Sequence, residues 1–177
     1  MRHLFAAAAL CALAANASAQ GPRSIGAGML HLNVASVEQS LAFYRDVLGF
    51  EVTARYGPAA VFLSAGGYHH HIGLNTWAGR GAPRPAQGTT GLYHFAILLP
   101  DRAALAATLR RVVAAGVALE GAADHGVSEA VYLRDPDGNG VELYRDRPES
   151  EWPRNAEGHL EMTSGPLDVR ALLEEGV

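Results

Sequence analysis

Two histidines stand at corresponding points of two similar stretches, and a carboxylate further along the second repeat joins them. His31 opens "HLNVASVEQSLAFYRDVLGFEV" and His94 opens "HFAILLPDRAALAATLRRVVAAGV", which align with two residues inserted. Glu142 lies in "DPDGNGVELYR", near the end of the second stretch. Two imidazoles and one carboxylate, with coordination positions left over, are the facial set that holds a divalent transition metal such as Fe(II). Any one of the three alone would be read as packing or solvated surface; the matched placement gives them weight together.

"YHHHIGLNTW", Tyr68 to Trp77, adds three consecutive histidines. On a strand, successive side chains point to opposite faces. "VFLSAGGYHHHIGLN" aligns without a gap with "VYLRDPDGNGVELYR", which sets Ile72 in the slot of Glu142. Ile72 is therefore expected to face the cleft, His70 to share that face, and His69 and His71 to point outward. His70 is a candidate acid or base, or a polar cavity residue with no proton to move. Tyr132, ten residues before Glu142, is expected on the same face, where its phenol could hydrogen-bond a metal-bound oxygen or simply pack. His125 lies in "ADHGVSEA", a loop from which it could reach the mouth of the cleft or simply stand exposed. Trp77 and Tyr144 are candidate pocket walls.

The elements that must position these groups occur twice. "MLHLNV" reads as a strand, and Ser36 caps a helix whose apolar face is Leu41, Phe43, Tyr44, Val47 and Leu48, stopped by Gly49. "FEVTARY", "AAVFLSA" and "YHHHIGLN" follow as strands. "TWAGRGAPRPAQGTTG" reads as a linker. The order then repeats: "LYHFAILL", a helix over 103–115 ended by Gly116, then "VALEGAA", "EAVYLRD" and "GVELYRD", the last two joined by the tight turn 135–140. This predicts an α+β fold of two tandem βαβββ units, about 28–76 and 91–147, within a domain spanning 26–151. The duplicated units are expected to form a curled mixed sheet around a shared metal-containing cleft. Residues 152–177 form a tail.

The chain has 177 residues, 49% of them hydrophobic, with a formal charge of −4 and 14 basic residues, all arginine. That balance gives no reason to expect nucleic acid. Residues 1–19 have a short basic start, an apolar run and "ASA", the pattern of a secretory signal peptide. The mature protein is then expected near Gln20, periplasmic or secreted and free of the membrane; a mis-assigned start codon would leave it cytoplasmic. Cys11, the single cysteine, falls in that leader.

"HLNV", "LAFYRDVLGF", "GLYHFAILL" and "DPDGNGVELYRDRP" resemble the vicinal oxygen chelate superfamily, which includes glyoxalase I, bleomycin resistance proteins and extradiol dioxygenases. "FLSAGGYHHHIGLNTW", "HGVSEAVYLRDPDGNGVELYRDRP" and the tail "MTSGPLDVRALLEE" resemble its catechol 2,3-dioxygenase branch. The resemblance implies metal ligands at His31, His94 and Glu142, an acid-base histidine at His70, and supporting roles for Tyr132 and His125. It implies Fe(II), with Mn(II) as the second choice, a catechol-like or other vicinal-oxygen substrate, and dioxygen. Such dioxygenases commonly carry four units where this chain has two. Glyoxalase-type enzymes carry a fourth protein ligand where this chain has Ile72. The alternatives are a glyoxalase-like isomerase or lyase, a thiol transferase, or a non-enzymatic binder of small aromatic compounds. A homodimer is open to all of them.

Overall fold

The computed structural model describes residues 28–86 and 88–176; the leader lies outside them. The first unit runs β1 (Leu30–Asn33), α1 (Val37–Leu41, continued by a π-helical stretch Ala42–Val47), β2 (Glu51–Tyr56), β3 (Ala60–Ser64) and β4 (Ile72–Asn75). The second runs β5 (His94–Leu98), α2 (Arg102–Ala114), β6 (Leu119–Asp124), β7 (Ser128–Arg134) and β8 (Gly140–Asp146). A short strand β9 (Gly165–Pro166) and helix α3 (Val169–Leu173) close the chain. The fold is α+β, and its strands form two mixed sheets, β1-β4-β3-β2 and β5-β8-β7-β6-β9.

Local chemistry sets the helix starts and stops. Ser36 Oγ accepts from Gln39 N at 3.3 Å and Asp101 Oδ1 accepts from Ala104 N at 2.8 Å, each satisfying an N–H that the helix leaves unpaired. Gly49 and Gly116 take φ of 90° and 70° after the helices, a conformation that favours glycine.

The units share one core. Leu32, Val61, Leu63, Ile72 and Leu74 of the first sheet join Val131, Leu133, Val141 and Leu143 of the second, with Tyr44, Leu105, Leu109 and Val112 of the helices. The faces that alternate with these residues are turned away from that core. The "DPDGNG" turn also fastens the units. Asp137 Oδ1 accepts from Ala35 N at 2.9 Å, and buried Asp135 accepts from the Tyr44 hydroxyl at 2.8 Å. From α2, Arg111 donates to the carbonyls of Val47 and Leu48.

Candidate functional site

The open face of the second sheet gathers four of the candidate residues. His94, on edge strand β5, lies one strand from Glu142 on β8, with His94 Nε2 3.0 Å from Glu142 Oε2. Tyr132, paired with Glu142 across β7–β8, has its hydroxyl 3.4 Å from Glu142 Oε1. His125 Nε2 stands 2.7 Å from that hydroxyl, and His125 Nδ1 stands 2.9 Å from the Thr163 carbonyl. His94, Tyr132 and His125, with Gly121, Gly140 and Ser164, help to line a cleft of about 550 Å³. Burial, and then the Glu142 carboxylate, push the Tyr132 phenol up to about 12, so it stays protonated at neutral pH. Gly140 lets β5 lie close: a Cβ there would press on the Tyr93 carbonyl and on His94 Cβ.

The open face of the first sheet carries His31 and His70. His31 packs against Phe62 and Trp77, with ring centroids 5.8 and 5.3 Å away. Its ring lies over Gly73, where an added Cβ would come within 2.7 Å of His31 Cδ2. His70 lies 5.2 Å from the Phe62 ring, and its Nδ1 is 2.7 Å from His69 Nδ1. His71 turns back to Ser64 Oγ at 3.1 Å. Trp77 is exposed and Tyr144 half-buried.

Three expectations need correction. The histidine run is not on a strand: β4 begins at Ile72, and residues 69–71 form the turn before it. Ile72 does not face the cleft either. It is 3% exposed in the core and pairs with Leu63, while Gly73 pairs with Phe62 as Glu142 pairs with Tyr132. The cause is loop length. Leu63 meets Ile72 nine positions on, and Leu133 meets Val141 eight positions on, so the gapless match slips by one. His70 reaches the open face through the turn rather than through strand alternation.

The third correction concerns the matched histidines. Val34 N bonds the Asn75 carbonyl and Leu99 N bonds the Tyr144 carbonyl, both at 2.7 Å, which makes Val34 and Leu99 counterparts. By that register His94 corresponds to Met29, and His31 to Ala96. His31 sits on the corresponding face, one pleat repeat further along, and on the other sheet. Each sheet carries a helix against its core face, α1 on β4 and α2 on β8, and the units join through α2 and the π-helical stretch. Among the described residues no group of three His, Cys, Asp or Glu is close enough to hold one ion. The donor pair His94–Glu142 fits a divalent metal in chemical type; among the described residues of one chain no third donor joins it. Sequence reasoning also missed Gly73, Gly140 and Thr163. A glycine in a strand, marking a close approach, was the readable signal for the first two.

The chain belongs to the Glyoxalase/Bleomycin resistance protein/Dioxygenase superfamily, whose family model matches residues 26–143. It is 46% identical over 148 residues to a catechol-2,3-dioxygenase of Bacillus subtilis (strain 168), covering 84% of this chain and 51% of that one. It is 36% identical over 104 residues to biphenyl-2,3-diol 1,2-dioxygenase 3 of Rhodococcus globerulus, covering 59% and 54%. The chain thus spans about half the length of the curated relatives it matches. Among solved structures it is similar to a lactoylglutathione lyase of Agrobacterium tumefaciens: TM-score 0.52, 29% identity, 70% of this chain and 94% of that one.

Proposed function

We propose that this protein is a metal-dependent, extradiol-type dioxygenase acting on a catechol-like substrate, with its working site completed in a homodimer. The observation that carries the reading is the chain of contacts linking His94, Glu142, Tyr132 and His125 on the open face of one sheet. The two dioxygenase relatives support the reaction class.

His94 Nε2 and Glu142 would hold a divalent ion, Fe(II) before Mn(II), which when bound supplies Lewis acidity and a redox-capable template for catechol and dioxygen. Behind them Tyr132, neutral at working pH, presents its hydroxyl to the substrate as a hydrogen-bond partner, and His125 Nε2 holds that hydroxyl in place. His31 and His70 belong to the other open face. A second copy laid face to face would bring that face over the donor pair, with His31 as third donor and His70 as the group that takes the substrate proton. Exposed Trp77 and Met29 on that side, and Leu92, Tyr93 and Leu98 on the other, give the two faces apolar surface to bury.

The test is oxygen uptake with catechols by anaerobically purified protein, alongside metal analysis. His94→Ala and Glu142→Ala should lose both metal and turnover. Separately inactive His31→Ala and Glu142→Ala proteins, unfolded and refolded together, should regain about a quarter of wild-type activity, because half of the random dimers each contain one intact site. Turnover by a strictly monomeric protein would refute the shared site. No oxygen uptake by metal-loaded dimer would refute the reaction.

A further inference from the structure

The carboxy-terminal segment runs back across the second sheet. β9 pairs with β6, Ala123 opposite Pro166 and Asp124 opposite Gly165. Trp152 Nε1 donates to the Arg147 carbonyl at 2.8 Å, and Thr163 N donates to the His125 carbonyl at 3.1 Å. Between these anchors the segment meets Gly126, whose φ is +75°. A Cβ added there would lie 2.8 Å from Pro153 Cγ and 3.1 Å from Thr163 Oγ1.

We propose that this segment is a positioning strap, whose Thr163 carbonyl fixes the tautomer of His125 and thereby decides which partner receives the Tyr132 hydrogen. The inference rests on the reading of the cleft given above. A carbonyl oxygen only accepts, so the 2.9 Å contact requires the neutral His125 ring to carry its hydrogen on Nδ1. Nε2 is then a bare acceptor, and the Tyr132 hydroxyl donates to it at 2.7 Å. A phenol has one hydrogen. With that hydrogen on His125, the Tyr132 oxygen turns lone pairs toward the cleft and its 3.4 Å contact with Glu142 is left without a donor. The strap therefore sets Tyr132 to accept a hydrogen bond from a substrate hydroxyl. With the other tautomer, Nε2–H would occupy Tyr132 as an acceptor and send its hydrogen to Glu142. A main-chain carbonyl does this work, so the identity of the Thr163 side chain is secondary.

The experiment is a ¹⁵N–¹H long-range correlation spectrum of the histidine rings in the full chain, above the pH at which the rings deprotonate. Wild-type His125 should show a protonated Nδ1 and a bare Nε2. Gly126→Ala, which drives Pro153 and Thr163 off the loop, should shift His125 toward the Nε2–H form. It should also lower kcat for a catechol about tenfold with little change in KM, as expected of a group aligned for the transition state. Thr163→Val keeps the carbonyl and should leave the tautomer unchanged. Should Gly126→Ala fail to fold, Thr163→Pro removes the N–H that bonds the His125 carbonyl and should produce the same shift. An Nε2–H signature in the wild type, or an unchanged Nδ1–H signature in a folded strap variant, overturns the proposal. The tautomer is read without turnover, so failure of the dioxygenase reading would show as absent activity with the wild-type tautomer as expected.

Discussion

Tyr44, in the helix of the first unit, donates its phenolic hydrogen at 2.8 Å to Asp135, in the tight turn of the second; both residues are buried. Asp135 also accepts from the N–H of Asp137 and Asn139 and from the Asn139 side chain. Its carboxylate is thus satisfied from both units at once. Tyr44→Phe should destabilise the protein by about 1.5–3 kcal/mol, the range for a hydrogen bond to a charged group. Urea unfolding should show a lower midpoint with an unchanged slope. Burial first, and then Asp135, raise the Tyr44 phenol above its ordinary 10.0. The contribution should be complete below about pH 10 and lost as pH rises through the raised folded value.

Met29, 40% exposed at the foot of β1, holds the position that matches His94. A thioether is a poor donor for Fe(II) or Mn(II), whereas an imidazole suits iron. Met29→His should tighten metal binding about tenfold, roughly 1.4 kcal/mol. Metal titration of the dimer measures this, and equal affinities would show that the matched position does not face the ion.

His70 and His71 should separate cleanly. His70 lies on the open face beside Phe62, so His70→Ala should cut turnover ~10²–10⁴-fold with metal retained. His71 holds Ser64 at 3.1 Å, so His71→Ala should leave turnover near wild type and cost about 1 kcal/mol of stability. The reverse pattern would mean that the turn has a different register when substrate is bound.

Cleavage near Gln20 is expected if residues 1–19 are a secretory leader. The intact mass of protein from its native host measures it. A cytoplasmic chain beginning at Met1 would remove both the leader and the extracytoplasmic placement.

The fold was legible wherever a local signal carried it. Ser36 as a helix cap, Gly49 and Gly116 as stops, and "DPDGNG" as a hairpin all stand where side-chain chemistry alone would put them. Glu142 and Tyr132 could be placed on one face because the turn between them is tight. The first unit was less legible. Its β3–β4 connection is one residue longer, and nothing in "SAGGYHHH" marks which residue is extra. Likewise, the two-residue offset between His31 and His94 is hidden until strand pairing shows it. The direction in which the units pack was not readable either, because alternation tells which residues share a face and not which faces meet. The Thr163 contact had no signal at all, since any residue could supply that carbonyl.

β9 has a consequence for the solution behaviour of the chain. Sheet edges present unpaired N–H and C=O groups that can recruit strands from other molecules. Two residues of β9 cover part of the β6 edge, and among the described residues β5 is the unpaired edge on the other side. β2, an outer strand of the first sheet, has a register shift between Val52 and Ala54 and the charges of Glu51 and Arg55 along it, features that discourage strand addition. A chain trimmed before Gly165 would uncover Ala123 and Asp124 and extend the open β6 edge to the end of that strand. It should precipitate with a rise in β-sheet signal at concentrations where the full chain stays clear, which makes the tail a safeguard against edge-to-edge polymerisation as well as a wall of the cleft.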